Sequence, residues 1–302
     1  MIPNLEHKEE KKDRGRFYAS DFGKLGIDIL LSLRKEEETN PPTWLDTLKW
    51  AAGKGVELKM VDILKENGIV EKDFDQEAAP SMVINREGVD ISMKFDALVK
   101  EGGAVLKMGD GVVVNEEVRL NAGEPIEIKT INNKNSFDIA RYNENKPREN
   151  YVGQVATYMD ALGQERGHIF AVTIDGLHAF WFVVSKIGEG KYQAGDVIVN
   201  IDEEYKRYAK IWDVFKSGEI PKEAFFEERY KLPIESIDWH SLSKNAISDA
   251  RTNKKVIGSE NSWKIMYSNF RDRIIKEQGE TRGYTEEEIE KIAELTAGYS
   301  KW

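Results

Sequence analysis

The sequence predicts an α/β protein, a mixed central sheet flanked by helices, with a small helical extension at its carboxy end. Three observations carry this expectation. Val89, Ile91, Met93, Phe95, Ala97 and Val99 alternate with Asp90, Ser92, Lys94 and Asp96, the two-residue period of a strand that packs one face on a core. Stretches with apolar residues at helical spacing stand before and after it, at 43–67 and 149–162. The order helix, strands, helix, strands, closing helix is that of a layered α/β sandwich.

In chain order, residues 1–17 hold a run of Lys, Glu and Asp and read as a disordered or frayed terminus. A helix is expected from Ser20, which with Asp21 offers a cap, because Phe22, Leu25, Ile29, Leu30 and Leu33 recur at helical spacing. Asn40-Pro41-Pro42 stops it. A second helix from Thr43 to Asn67 would bury Trp44, Leu48, Ala51, Ala52, Val56, Met60, Val61 and Leu64, with Gly53 and Gly55 as weak points. After the alternating strand, the Gly-punctuated segment 102–123 reads as hairpins. Pro125 to Ile131 is the next strand, Ile126, Ile128 and Thr130 on one face and Glu127 and Lys129 on the other. A polar loop from Asn132 leads to a helix from Glu149 to Leu162 that Gly163 ends as a left-handed cap. Strands at 168–174 and 179–184, joined by Asp175-Gly176, and a helix at 203–216 complete the domain, placed at 18–235. Residues 236–302 form the extension, with polar helices at 261–277 and 285–297.

Composition excludes several chemistries. The chain of 302 residues has no cysteine, so disulfides, thiolate zinc, cysteine nucleophiles and iron–sulfur clusters are out. Its four histidines, His7, His168, His178 and His240, have no metal-ligand spacing. Any metal is therefore expected on oxygen, as a hard cation such as Mg2+ or Mn2+. No apolar run reaches the roughly 20 residues of a membrane span, and no secretory leader is evident. A cytoplasmic protein is expected, in a host's cytoplasm if a phage encodes it. The net charge of −10 argues against a generally basic surface, but a groove can concentrate its own Lys and Arg.

Hydrolysis of a phosphodiester around an oxygen-bound metal needs carboxylates converging on the cation, a way to activate water, and a nearby positive group. Glu127 and Lys129 lie two apart on a strand and so point to one side, about 7 Å apart. Asp96 is on the polar face of the preceding strand. Glu-x-Lys by itself recurs elsewhere, at Glu57, Glu189 and Glu204 among others. What distinguishes Glu127 is its place between Ile126 and Ile128, after a strand that carries an Asp. Further on, Gln154 and Tyr158 make an i, i+4 pair on one helix face, and Gly53-Lys-Gly-Val-Glu57 puts a carboxylate on the helix before the strands.

This ordered set, helix with Gly-x-x-x-Glu, strand with Asp, strand with Glu-x-Lys, helix with Gln-x-x-x-Tyr, resembles the RecB-type and phage-exonuclease branch of the PD-(D/E)XK nucleases over about Tyr18 to Phe225. The resemblance implies a restriction-endonuclease-like core and a Mg2+- or Mn2+-dependent deoxyribonuclease, of exonuclease type, acting on DNA ends in recombination, repair or replication. It implies that Asp96 and Glu127 bind the metal with the backbone carbonyl of Ile128, and that Glu57 completes the shell. Lys129 would orient the water or stabilise the phosphorane, while Gln154 and Tyr158 would steady the site and touch the strand near the cut. Many RecB-type members have histidine where Glu57 stands, Phe95 occupies the nominal proline, and the iron–sulfur sub-branch is excluded by the missing cysteines. DNA is the expected partner, with a single-strand-binding or annealing protein and a homo-oligomer as further candidates.

Other readings compete with each assignment. Asp90 shares the polar face of Asp96 and is the alternative ligand. Glu57 also suits a solvated helix face, and Gln154 and Tyr158 a packing flank beside Val155, Met159 and Leu162. Lys134, Arg141, Lys146 and Arg148, among Asn, Tyr and Phe, suit phosphate contacts and base stacking, and equally an ordinary exposed loop. Phe180-Trp181-Phe182 reads as core strand. Lys254-Lys255 reads as a solvated face. Two alternatives stand beside the exonuclease: an endonuclease of the same fold, of restriction or junction-resolving type, and a non-catalytic DNA-binding or scaffold protein.

Overall fold

The computed structural model describes residues 15–78, 81–106, 112–113, 118–132, 136–176, 178–279 and 281–298. The chain divides into two compact units, one of Met1–Lys24 with Pro42–Asp213, the other of Leu25–Pro41 with Val214–Trp302. The expected boundary at 235 thus differs from the unit boundary, which falls inside a helix (Ile201–Ser217).

The first unit holds the predicted mixed sheet. Numbered in chain order, its strands are β1 (Phe17–Tyr18), β2 (Met82–Arg86), β3 (Val89–Met93), β4 (Ala97–Leu98), β5 (Ala104–Leu106), β6 (Val112–Val113), β7 (Val118–Leu120), β8 (Pro125–Ile131), β9 (Arg166–Thr173), β10 (Ala179–Gly188), β11 (Lys191–Ala194) and β12 (Val197–Asn200). The main sheet has seven strands in the order β12-β11-β10-β9-β8-β4, with β6 beside β10. β8 and β9 run parallel, Glu127 opposite Ile169, while β4 is antiparallel to β8, Ala97 opposite Ile126. A separate sheet has the order β1-β3-β2. Of the charged terminus, residues 1–14 lie outside the described residues, and Phe17 is fully buried in β1, opposite Ile91.

The alternating run 89–99 is not one strand. It leaves one sheet after Met93 and enters the other at Ala97, and the gap holds Phe95 and Asp96. The break has a side-chain cause: the Tyr158 ring lies edge-on to Phe95, centroids 5.0 Å apart, and its hydroxyl donates to the Lys94 carbonyl at 3.2 Å. That carbonyl is therefore satisfied by a side chain.

Helix α2 (Trp44–Glu66) is capped by Thr43, whose Oγ1 accepts from Asp46 N at 3.3 Å. It is continuous through both glycines. Gly53 is where the helix crosses β8, since a Cβ there would stand 2.8 Å from Thr130 Oγ1. Val61 and Leu64 pack on Ile126, Ile128, Phe170 and Trp181 to form the core under the sheet. The amino-terminal half does not bury its apolar side as expected: Trp44 is 68% exposed, and Leu48 is exposed with it. Beyond Gly53 the helix has the sheet beneath it, which is where its burial begins.

The expected loop 132–150 contains a helix, α3 (Ser136–Asn143), anchored by Tyr142 between Phe180 and Phe182, each centroid 5.3 Å away. Helix α4 (Glu149–Leu162) ends as predicted at Gly163, φ +66°. It lies close to the turn at Phe22, whose ring occupies the space a Cβ on Gly153 would need. Phe180, Trp181 and Phe182 are buried core. The hairpin β11–β12 had no distinct sequence signal, and helix α5 is Ile201–Ser217.

In the second unit, α1 is Gly26–Leu33. The helix expected from Ser20 starts later because Ala19–Asp21 form a 3-10 turn, in which Asp21 accepts from its own Tyr18 N–H at 2.9 Å. Helices α6 (Lys244–Arg251), α7 (Ser262–Met266), α8 (Arg271–Gln278) and α9 (Glu286–Leu295) follow. The single helix expected at 261–277 is two, α7 and α8, separated where Ser268 Oγ accepts from Phe270 N at 2.9 Å. Ile234, Ile237, Trp239, Ile247, Ala250, Tyr284 and Ile292 form a core of their own. Among the described residues no helix is long and apolar enough to cross a membrane.

Candidate active site

Asp96 sits where the chain passes between the two sheets. Its Oδ2 accepts from the Ile128 backbone N–H at 2.8 Å, which fixes it against the strand that carries Glu127 and Lys129. Burial, then the carboxylates of Glu127 and Glu57, push its carboxyl well above the usual range, and Lys129 only partly opposes them. Asp90, the alternative, is exposed on β3 and accepts from Asn85 Nδ2 at 2.8 Å. It makes no part of this cluster.

Glu127 is 3% exposed. Its Oε1 is ion-paired with Lys129 Nζ, and its Oε2 is buried with no hydrogen-bond partner among the described residues. The Lys129 ammonium also lies 5.0 Å over the Tyr151 ring. Burial pulls the Lys129 pKa down, but Glu127 and Asp96 outweigh it and the net shift is upward. Lys129 is therefore a fixed cation at neutral pH. In a strand, N–H and C=O of one residue point to the same edge, and the edge alternates. Ile131 O accepts from Ile174 N on the β9 side at 3.0 Å, so the Ile128 carbonyl, three residues earlier, faces the Asp96 side with its N–H.

Glu57 reaches the cluster from α2 and is partly buried. Its Oε1 accepts from Lys54 Nζ at 2.6 Å and from Gln76 Nε2. Gln76 lies in the segment between α2 and β2. It is 4% exposed; its Nε2 also donates to Asp96 Oδ1 at 2.9 Å, and its Oε1 is buried without a partner among the described residues. No periodicity or motif marks it, since only the return of that segment across α2 brings it here. A cavity of about 330 Å³, lined by Lys54, Gln76, Glu77, Lys94, Phe95 and Asp96, opens beside the cluster.

Gln154 and Tyr158 stand behind it. Gln154 Nε2 donates to the Tyr158 hydroxyl at 2.5 Å, and that hydroxyl holds Lys94. Burial, with Glu127 and Asp96 adding to it, raises the Tyr158 pKa far above its ordinary value, so the phenol stays protonated. With Tyr158 1% exposed, it lies buried between the segment that positions Asp96 and the Glu127 carboxylate.

The four basic candidates have separate fates. Lys134 lies outside the described residues. Arg148 is locked in a fork on the buried Asp138, at 2.8 and 2.5 Å, and helps fix the start of α4. Arg141 donates to the Pro147 carbonyl at 3.3 Å and lies 5.7 Å over the Phe137 ring. Lys146 is solvent-facing, paired with Glu144 at 3.0 Å.

Among the described residues, no group of three or more His, Asp or Glu side chains converges as a ready metal cage, and Gln76 stands between Glu57 and Asp96. The residues nevertheless fit a hard divalent cation. Two desolvated carboxylates repel one another across the site, and one of their buried oxygens has no partner, a combination that a bound cation relieves. Every available donor is oxygen, which suits Mg2+ or Mn2+.

What the fold and site define together is a mixed-sheet α/β unit with a buried carboxylate–lysine cluster at the edge of its parallel strand pair. No family profile matches the sequence, and no match is found among curated proteins. Solved structures with similarity include SSO0001, 13% identical, covering 77% of this chain and 88% of that one at TM-score 0.37. An alkaline exonuclease from Laribacter hongkongensis is 14% identical, over 68% of this chain and 90% of its own, at TM-score 0.38. The same exonuclease in complex with dAMP gives 14%, 69%, 91% and 0.39.

Proposed function

We propose that this chain is a divalent-metal-dependent DNA nuclease of the PD-(D/E)XK type that hydrolyses phosphodiester bonds, with DNA ends as its preferred substrate. One observation carries the reading: Lys129 is ion-paired to buried Glu127 of the same strand, β8, beside Asp96 in the segment that leads into β4. Asp96, Glu127 and the Ile128 carbonyl would hold the cation, with Glu57 in support. When bound, the cation supplies Lewis-acid charge to the phosphate and lowers the pKa of water.

The chain's own groups account for the rest of the chemistry. Lys129, charged at neutral pH, holds the attacking water by hydrogen bond and stabilises the negative charge that builds on the phosphoryl oxygens. Glu127, freed from that ion pair as the site fills, accepts the proton from the water. Tyr158 and Gln154 keep the 94–96 segment in place, so Asp96 needs no reorganisation during the reaction. Lys54 and Lys94, on the wall of the cavity beside Asp96, offer positive charge to the phosphates flanking the cut.

The test is incubation of pure protein with linear and closed-circular DNA and Mg2+, beside Glu127→Gln and Lys129→Met. Degradation of linear DNA alone, lost in both variants, supports the end-directed reading. Cutting of closed circles would replace it with an endonuclease of the same site. Salt-sensitive DNA binding without hydrolysis would leave a non-catalytic binder and overturn the nuclease.

A further inference from the structure

Gln76 is the residue that no part of the sequence resemblance accounts for. Its amide nitrogen bridges Glu57 Oε1 and Asp96 Oδ1, the space between two carboxylates where positive charge is most favourable. Its carbonyl oxygen has no partner among the described residues although the side chain is almost fully buried. A buried acceptor left unsatisfied is costly and is rarely kept without a use. A second buried oxygen without a partner, Glu127 Oε2, belongs to the same cluster. Two buried acceptors, each without a partner among the described residues, thus stand around one group of carboxylates.

We propose that Gln76 is itself a ligand of the divalent cation, through Oε1, in a set shared with Asp96, Glu127 and Glu57. An amide is nearly symmetric in shape, so a half-turn about its terminal torsion exchanges oxygen and nitrogen without moving the backbone. With no cation, the NH2 group faces the carboxylates and stands in for the missing charge. With a cation present, the NH2 would be repelled and the carbonyl oxygen takes its place, a neutral oxygen donor of the kind hard cations accept. Neutrality matters here, because the three carboxyl groups of Asp96, Glu127 and Glu57 already stand against two cations, Lys129 on Glu127 and Lys54 on Glu57. A fourth carboxylate would add repulsion in the cation-free protein, and an amide does not.

The proposal rests on the metal-dependent reading above, and the experiment separates the two. Mn2+ affinity of the full chain is measured by calorimetry and by loss of the free-ion EPR signal, with no DNA present, for wild type, Glu127→Gln, Gln76→Leu and Gln76→Glu. If Gln76 is a ligand, Gln76→Leu weakens Mn2+ binding by about 10-fold or more, and Gln76→Glu, which keeps an oxygen at the position, restores it. Circular dichroism identifies any variant that has failed to fold, and Gln76→Glu then carries the comparison: affinity at or above wild type supports the ligand, and a loss overturns it. Unchanged or tighter binding in a folded Gln76→Leu overturns the proposal alone, since Gln76 would then only compete with the cation. Wild type that takes up no Mn2+, or Glu127→Gln that binds as well as wild type, overturns the metal site itself.

Discussion

The backbone N–H of Ile128 donates to Asp96 Oδ2 at 2.8 Å, tying the residue before β4 to the middle of β8. Asp96→Asn keeps an acceptor for that N–H while removing a buried negative charge close to Glu127. Asp96→Ala removes both. Each is expected to lower nuclease activity by at least about 100-fold, the scale of one lost transition-state stabiliser. Their metal-free melting temperatures should diverge: Asn at or above wild type, Ala lower because a buried N–H loses its partner at about 1–3 kcal/mol. Thermal melts in chelator check the order, and an Asn variant melting below Ala would contradict it.

Lys129→Met removes the counter-charge that is ion-paired with Glu127 Oε1. Activity is expected to drop by about 10²–10³-fold while Mn2+ still binds, because the ligands stay. The cation should then raise the melting temperature more in the variant than in wild type, since binding alone offsets the exposed repulsion. Melts with and without Mn2+ measure this.

Tyr158→Phe keeps the ring against Phe95 and deletes the hydroxyl that holds the Lys94 carbonyl. A stability loss of about 1 kcal/mol is expected, with kcat reduced and KM for DNA little changed, as befits a group that positions Asp96 without touching substrate. A rise in KM with kcat preserved would assign the hydroxyl to DNA contact.

Arg148 and Lys146 should separate cleanly. Arg148→Ala removes the guanidinium fork from the buried Asp138 and is expected to destabilise by about 1.5–3 kcal/mol, the scale of a hydrogen bond to a charged group. Lys146→Ala should leave the melting temperature unchanged and, if this face meets DNA, reduce the slope of log affinity against log salt by about one. Salt titrations of DNA binding beside melts distinguish the two roles.

Beneath β8 and β9 a second buried polar group sets a pH dependence. Trp181 Nε1 donates to His168 Nδ1 at 3.2 Å, and His168 Nε2 faces Glu124 Oε2 at 2.7 Å, so the neutral ring carries its proton on Nε2. Burial lowers the His168 pKa, Arg166 adds to this, and Glu124 opposes it. The unfolded chain, near 6.5, therefore binds more protons just below that pH than the folded one does. Stability from this group is complete above about 6.5 and declines as pH falls toward the folded value. Burial pushes Glu124 up, but the hydrogen bonds from His168 and Asn121 outweigh it and its pKa is lowered, so its own loss falls below 4.5. Melting temperature against pH should decline from 6.5 downward in wild type and lose that first segment in His168→Gln.

How much of this was legible depends on the range of the interaction involved. The β8 pattern, with Ile126 and Ile128 inward and Glu127 and Lys129 together on the other face, follows from the two-residue period. The α4 helix and its stop at Gly163 follow from local spacing and one left-handed residue. These need no knowledge of the rest of the chain. The break at 94–96 was hidden, because alternation continues through it and only Tyr158, some 60 residues later, redirects the backbone. Helix α3 was hidden among polar residues, and its anchor Tyr142 gains meaning only against Phe180 and Phe182. The expected burial of Trp44 and Leu48 failed because periodicity says which residues share a face and not whether anything covers that face.

By itself the sequence determined the α/β class, the faces of β8 and the order of Glu57, Asp96, Glu127, Lys129, Gln154 and Tyr158 along the chain. Only the tertiary structure decided that Asp96 bonds to Ile128, that Arg148 is spent on Asp138, and that Gln76 joins the carboxylates. The reason is physical: periodicity is a property of neighbours along the backbone, whereas desolvated charges find their partners through contacts that the folded chain alone creates.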